Sequence, residues 1–152
     1  AVARWGLLIS TSRTISFGEP SAELRRRFNA MSAIQAALLA RTQLGTPLTS
    51  LFTLIMQQFE RAGFPEERYN HFHGGPVGYW AGYAERMRDP AEVVKPNMAF
   101  LYYLTVAGVH TEELMLVDER GAEFVTVGSG WPLMEIAVEG KTISVPDIFV
   151  RA

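Results

Sequence analysis

The spacing of apolar residues along the chain changes near Pro20 and again near Asn97, which divides it into three kinds of sequence. From Arg4 to Ile15 short, β-branched and apolar residues are interleaved with Ser and Thr, a strand pattern that Gly18-Glu19-Pro20 closes as a turn. Beyond it Leu24, Phe28, Met31, Ile34, Leu38 and Leu39 recur at helical spacing. They predict a long amphipathic helix through Leu44, with Ser21 as N-cap and Glu23 in the first turn. Gly45 stands where a C′ residue is expected, and Thr46-Pro47 supplies a cap and a first-turn proline for a second helix. The stripe of that helix is Leu48, Leu51, Phe52, Ile55, Met56 and Phe59, and Gly63 ends it.

Pro65 to Pro96 has little periodicity and reads as functional loop or short strand. After Asn97 the pattern predicts strands over Met98 to Val106, Val109 to Val117, Phe124 to Val127, Leu133 to Val138 and Thr142 to Val145. Turn sequences separate them at Asp118-Glu119-Arg120-Gly121, Gly128-Ser129-Gly130 and Glu139-Gly140, which describes an antiparallel meander. The expectation is a single α+β domain over residues 1–152, two helices packed on a mainly antiparallel sheet.

Composition narrows the function. A chain of 152 residues that is 48% apolar and 20% charged can bury a core, which excludes disorder, coiled coil and collagen. A net charge of -2 provides no positive field for nucleic acid, so no nucleic-acid partner is expected. With no Cys there are no disulfides, thiolate nucleophiles or thiolate metal sites, which fits a reducing, cytoplasmic location. The densest apolar run, Leu51 to Met56, is broken by Gln57, Gln58 and Glu60, far short of the roughly 18 to 20 residues of a spanning helix. No membrane partner is expected. Ala1 to Ile9 is too short for a signal peptide and opens mid-strand, so the chain reads as a piece of a longer protein. Arg25, Arg26 and Arg27 point about 100° apart around a helix axis and read as a solvated face rather than an anion site.

Candidate chemistry centres on the three His. His71 and His73 flank Phe72 and share a face if that segment is a strand, a spacing able to chelate a metal; satisfied or exposed histidines are the plainer reading. On the strand predicted around His110, alternation puts His110 and Glu112 on one side and Glu113 on the other. A carboxylate beside an imidazole can orient it for acid or base work, and a polar face is the plainer alternative. Gly74-Gly75-Pro76 lacks the Lys and Ser or Thr of a phosphate loop and reads as a tight turn. With no Gly-x-Ser-x-Gly elbow present, a serine hydrolase is not expected.

Five short motifs in order resemble the pita-bread metallopeptidases, the family of aminopeptidase P, prolidase, methionine aminopeptidase and creatinase. Gly6 to Arg13 matches, at its Gly and Arg, a family strand that carries a metal-binding Asp; Ser10 stands at the ligand position. His71-Phe72-His73-Gly74-Gly75-Pro76-Val77-Gly78 fits the frame His-x-x-Gly-His-x-x-Gly, with His71 at the substrate position and Gly75 at the metal-ligand position. Tyr103 stands at a ligand Glu and Glu112, in Gly108-Val109-His110-Thr111-Glu112-Glu113-Leu114, at the second. Leu116-Val117, Gly121 to Thr126 and Gly130-Trp131-Pro132 resemble the family's ending. Another metal Asp of the family falls before Ala1.

The resemblance implies a partial pita-bread fold with a curved sheet, and a family that uses two divalent cations such as Mn, Co or Zn. With Ser10, Gly75 and Tyr103 at ligand positions, the expectation here is no metal cofactor and a cleft that binds a small molecule or short peptide. His71 and Glu112 are the candidate catalytic residues, and His73, His110, Glu113 and Tyr103 the candidate binding residues. A metal-free creatinase-like C–N hydrolase using His71 and Glu112 is the second reading. An active metallopeptidase with His73 as ligand, pointing at Glu112 across the sheet, is the third. An exposed strand edge near the start and the family's habit imply a homodimer, with a further domain before this region.

Overall fold

Helix α1 (Ala22–Arg41) starts where the sequence predicts, with the Ser21 hydroxyl accepting from the Leu24 N–H at 3.2 Å. The computed structural model describes residues 2–78 and 83–152, so residue 1 and positions 79–82 of the 65–96 stretch lie outside the described residues. The helix stops at Arg41, three residues before Leu44. Thr42 closes it, with both its N–H and its hydroxyl donating to the Leu38 carbonyl at 2.9 and 2.7 Å. Gly45 is therefore not the C′ residue; its N–H donates instead to the Val94 carbonyl.

Helix α2 (Leu48–Arg61) has Pro47 at its N-cap and no side-chain cap. Thr46 does not cap it because the Glu92 carbonyl accepts from the Leu48 N–H at 3.0 Å, so a distant segment satisfies the donor that a cap would have taken. At the other end Phe64 N–H reaches the Phe59 carbonyl and Gly63 N–H the Glu60 carbonyl, the paired bonds of a Schellman ending, with Gly63 at φ 82°. Both predicted stripes are buried: Phe28, Met31, Ile34 and Leu38 of α1, and Leu48, Leu51, Ile55 and Phe59 of α2. The arginine triplet is paired rather than simply solvated. Arg26 and Arg27 meet Glu23, and Arg25 meets Asp147 far along the chain.

The opening residues do not form one strand. Val2–Arg4 (β1) and Leu7–Ile9 (β2) make a two-residue hairpin across Trp5 and Gly6, both at positive φ, and β1 thereby has one edge paired internally. Residues 10–14 run on without a strand, and Ile15–Phe17 (β3) pairs parallel with the last strand.

Gly74–Val77 (β4), Ala99–Val106 (β5), Val109–Asp118 (β6) and Gly121–Phe124 (β7) form an antiparallel four-stranded sheet in that order. A 3₁₀ turn (Glu67–Tyr69) precedes β4, and a short helix α3 (Tyr83–Arg86) follows it. Strand β7 begins earlier than the predicted Phe124, because Asp118 caps Arg120 N–H at 2.7 Å and tightens the turn so that Gly121 already faces Asp118. Leu133–Val138 (β8) and Lys141–Pro146 (β9) form a separate hairpin, so the predicted meander breaks after β7. Phe149–Arg151 (β10) is the parallel partner of β3 and was not predicted.

The helices cover one face of the four-stranded sheet, against Phe100, Tyr102, Leu104 and Val106. Ala36 and Ala40 of α1 also pack against Ile143 and Val145 of β9. Two helices on a mainly antiparallel sheet is thus the observed architecture.

Strand β4 approaches β5 unusually closely at Gly74. A Cβ there, at φ 94°, would lie 2.0 Å from the Leu101 carbonyl oxygen, inside any tolerable contact. Gly74→Ala is expected to cost more than about 3 kcal/mol or to prevent folding. Gly63→Ala, strained but with nothing nearby, is expected to cost about 1 kcal/mol, and urea denaturation of both compares them.

Candidate functional site

The register of β5 and β6 builds the site. Tyr103 lies directly opposite Glu112 and Thr105 opposite His110, so the four side chains share the face turned away from the helices. Gly75 pairs with Leu101, two residues from Tyr103, and belongs to the same face. Residues 10–13 run along the free edge of β6: Ser12 N–H and Thr11 Oγ1 both donate to the Glu112 carbonyl at 3.1 Å, and Ser12 Oγ donates to the His110 carbonyl. That pairing puts Ser10 Oγ 2.8 Å from Glu112 Oε2. Ser10, Gly75, Tyr103 and Glu112, drawn from four separate segments, therefore gather on one face.

His110 Nε2 lies 3.6 Å from Glu112 Oε2, and its Nδ1 lies 2.8 Å from Thr105 Oγ1. A hydroxyl donating to Nδ1 leaves the imidazole proton on Nε2, facing the carboxylate. Partial burial opposes ionisation of Glu112. Hydrogen bonds from His110 and Ser10 outweigh it and hold the carboxyl below the usual carboxylate range. Its Oε1 accepts no hydrogen bond among the described residues and is not sealed from water.

Glu113 projects to the helix side, with its side chain 4% exposed. Arg13 Nη1 contacts its Oε1 at 2.5 Å, and the Thr126 hydroxyl donates to Oε2. Burial pushes the Glu113 carboxyl up, against the opposing pull of Thr126 and Arg13. This carboxylate is committed to an internal ion pair.

The two neighbouring histidines diverge. His71 is exposed, and its ring meets Tyr103 edge-on at 5.2 Å. His73 is buried on the helix side against Phe59, ring centroids 4.3 Å apart, with Nε2 donating to the Arg68 carbonyl at 3.1 Å. Burial pushes its imidazole down. His73 is thus directed at α2 and away from the face that carries Glu112. Among the described residues no three His, Asp or Glu gather so as to hold a metal ion. Thr105 and Thr126, which orient His110 and Glu113, escaped the sequence reading; alternation from the Ala107-Gly108 turn is the signal that would have found Thr105.

Residues 1–119 match the profile of metallopeptidase family M24. The chain belongs to that family. Among solved structures it is similar to an X-Pro aminopeptidase from Thermotoga maritima (TM-score 0.71, 19% identity, 96% of this chain and 38% of that one). It is also similar to an Xaa-Pro dipeptidase from Bacillus anthracis (TM-score 0.69, 20% identity, 96% and 38%) and a prolidase from Thermococcus sibiricus (TM-score 0.70, 14% identity, 96% and 37%). At these identities the likeness establishes the pita-bread fold. This M24 chain spans less than two fifths of the length of those proteins. No curated protein matches it. No helix among the described residues is long and apolar enough to cross a membrane.

Two expectations follow from this geometry. Arg13→Met strands a buried carboxylate and should cost about 3 kcal/mol, with Arg13→Met/Glu113→Gln recovering part of the loss in a denaturation cycle. The folded-state Glu112 carboxyl is lowered, so its stability contribution is present above the ordinary carboxylate range and is lost as pH falls through its folded-state value. Ser10→Ala removes one of the bonds responsible. It should shrink the difference in unfolding free energy between about pH 7 and about pH 3.

Proposed function

We propose that this M24 chain keeps the family's cleft as a binding surface for a peptide or small amine-bearing ligand and does not assemble a two-metal catalyst there. A pair of divalent cations needs several carboxylates to balance its charge and to orient a bridging hydroxide. The four in-chain ligand positions offer one. Ser10 is neutral, Gly75 has no side chain, Tyr103 is a phenol, and Glu112 alone carries charge. The observation that carries the reading is the Ser10 hydroxyl donating to Glu112 Oε2 at 2.8 Å, an uncharged donor on a single carboxylate where the family frame has two carboxylates facing metal. These residues do not fit the dinuclear group.

The same face suits a cation of another kind. Glu112 is ionised at neutral pH with Oε1 available, and Tyr103 stands directly opposite with His71 against its ring. A carboxylate beside aromatic rings attracts an ammonium group through both charge and ring quadrupole. The names of the structural relatives make Xaa-Pro peptides the first ligands to try.

The test uses the full-length protein: metal content after incubation with Co, Mn or Zn, hydrolysis of Xaa-Pro dipeptides, and calorimetric titration with the same peptides. The expected result is no stoichiometric metal, no cleavage, and saturable binding weakened about tenfold or more by Glu112→Gln, the loss of one charge-assisted contact. Near-stoichiometric metal accompanied by Xaa-Pro cleavage would overturn the proposal.

A further inference from the structure

A second candidate site lies against α2; His71 lines it and also meets Tyr103 of the cleft, but Arg68, Arg88 and His73, on which it depends, are not part of the cleft reading. Between α2 and the segment around Arg68 and His73 is a cavity of about 330 Å³, at the low end of the range for small-molecule pockets. One wall is apolar, formed by Phe52, Ile55 and Met56 of α2. The polar lining is basic. It includes Arg68, Arg88 and His73, and no Asp or Glu is among the lining residues.

Three features of that lining are unresolved within the chain. Arg68 Nε is buried without a hydrogen-bond partner; Nη1 donates to the Met56 carbonyl at 3.4 Å, the guanidinium lies 4.8 Å over the Tyr69 ring, and its one carboxylate contact among the described residues is Glu60 at 3.3 Å, whose side chain is 68% exposed and so pairs weakly through solvent. Arg88 lies 5.4 Å over the Phe52 ring, and no carboxylate pairs with it among the described residues. His73 gives its Nε2 proton to the Arg68 carbonyl, leaving Nδ1 as a bare acceptor, and this atom too is buried and unpartnered. Native proteins leave few buried polar atoms unsatisfied, and here two such atoms belong to residues lining one cavity.

We infer that this cavity binds a small ring-bearing carboxylate with a hydroxyl or amide donor: the carboxylate meets Arg68 and Arg88, the ring lies against the α2 wall, and the donor answers His73 Nδ1. The apolar wall is the reason for preferring this class to an inorganic anion. Charge without apolar surface would leave Phe52, Ile55 and Met56 unused.

The experiment titrates the full-length protein with 3-phenyllactate and follows backbone amide shifts of residues 52–56 and 68–74. Hydrocinnamate (no hydroxyl), 3-phenyl-1,2-propanediol (no carboxylate) and inorganic phosphate are the comparison probes. Saturable shifts confined to those segments are expected. Affinity should fall severalfold for hydrocinnamate and about tenfold or more for the diol and for phosphate. Arg88→Gln, at an exposed position whose loss leaves the core intact, should weaken 3-phenyllactate about tenfold, and Met56→Trp, which fills the space and keeps every charge, should abolish the shifts. The absence of saturable shifts would overturn the proposal. So would equal binding of the diol or of phosphate, or unchanged affinity in Arg88→Gln.

Discussion

The ladder between β5 and β6 is the constraint on which both the core and the site depend. Its eight pairs run from Val106 opposite Val109 at the turn to Ala99 opposite Leu116. Ala107-Gly108, with Gly108 at φ 79°, closes the hairpin in two residues and leaves the strands a single register. A slip of β6 by one residue would turn Glu112 into the helices and Glu113 out of them, because side chains alternate with period two. The ladder also anchors α1, since Gln35 Nε2 donates to the Tyr102 carbonyl at 3.1 Å in the interior. Core packing and site geometry are therefore two consequences of one register.

Glu112 and Glu113 show how far that register separates neighbours. They are adjacent and chemically identical, yet one keeps an oxygen available on the outer face while the other is sealed against Arg13 and Thr126. The segment at residues 10–13 reaches both, Ser10 on one side of the sheet and Arg13 on the other, by running along the edge of β6. A carboxylate's role here is set by which side of a strand it leaves, and its ionisation follows from what it meets there.

The motif around Gly74 has the same logic. Gly74 is required in this chain by its backbone contact with Leu101, whatever the chemistry of the cleft. On the proposed reading Gly75 and Tyr103, on the site face, stand where a metal-binding member of the family would need ligands. Position-by-position tolerance thus distinguishes residues the fold needs from residues a metal would need.

Period alone determined the class of this protein: both helices, the two long strands and the hairpin of β8 and β9 follow from where apolar residues recur, since one face of each had to be buried. Spacing also determined that His110 and Glu112 share a face apart from Glu113, a property of any strand. Wherever a distant segment supplied the partner, local pattern misled. Glu92 displaced the Thr46 cap, Val94 took the Gly45 amide, and the parallel pairing of β3 with β10 joins the two ends of the chain. The same holds for the site. The direction of His73 toward Phe59, the contact of Ser10 with Glu112 and the burial of Glu113 each depend on residues far away in sequence, and only tertiary structure brings such residues within hydrogen-bond reach.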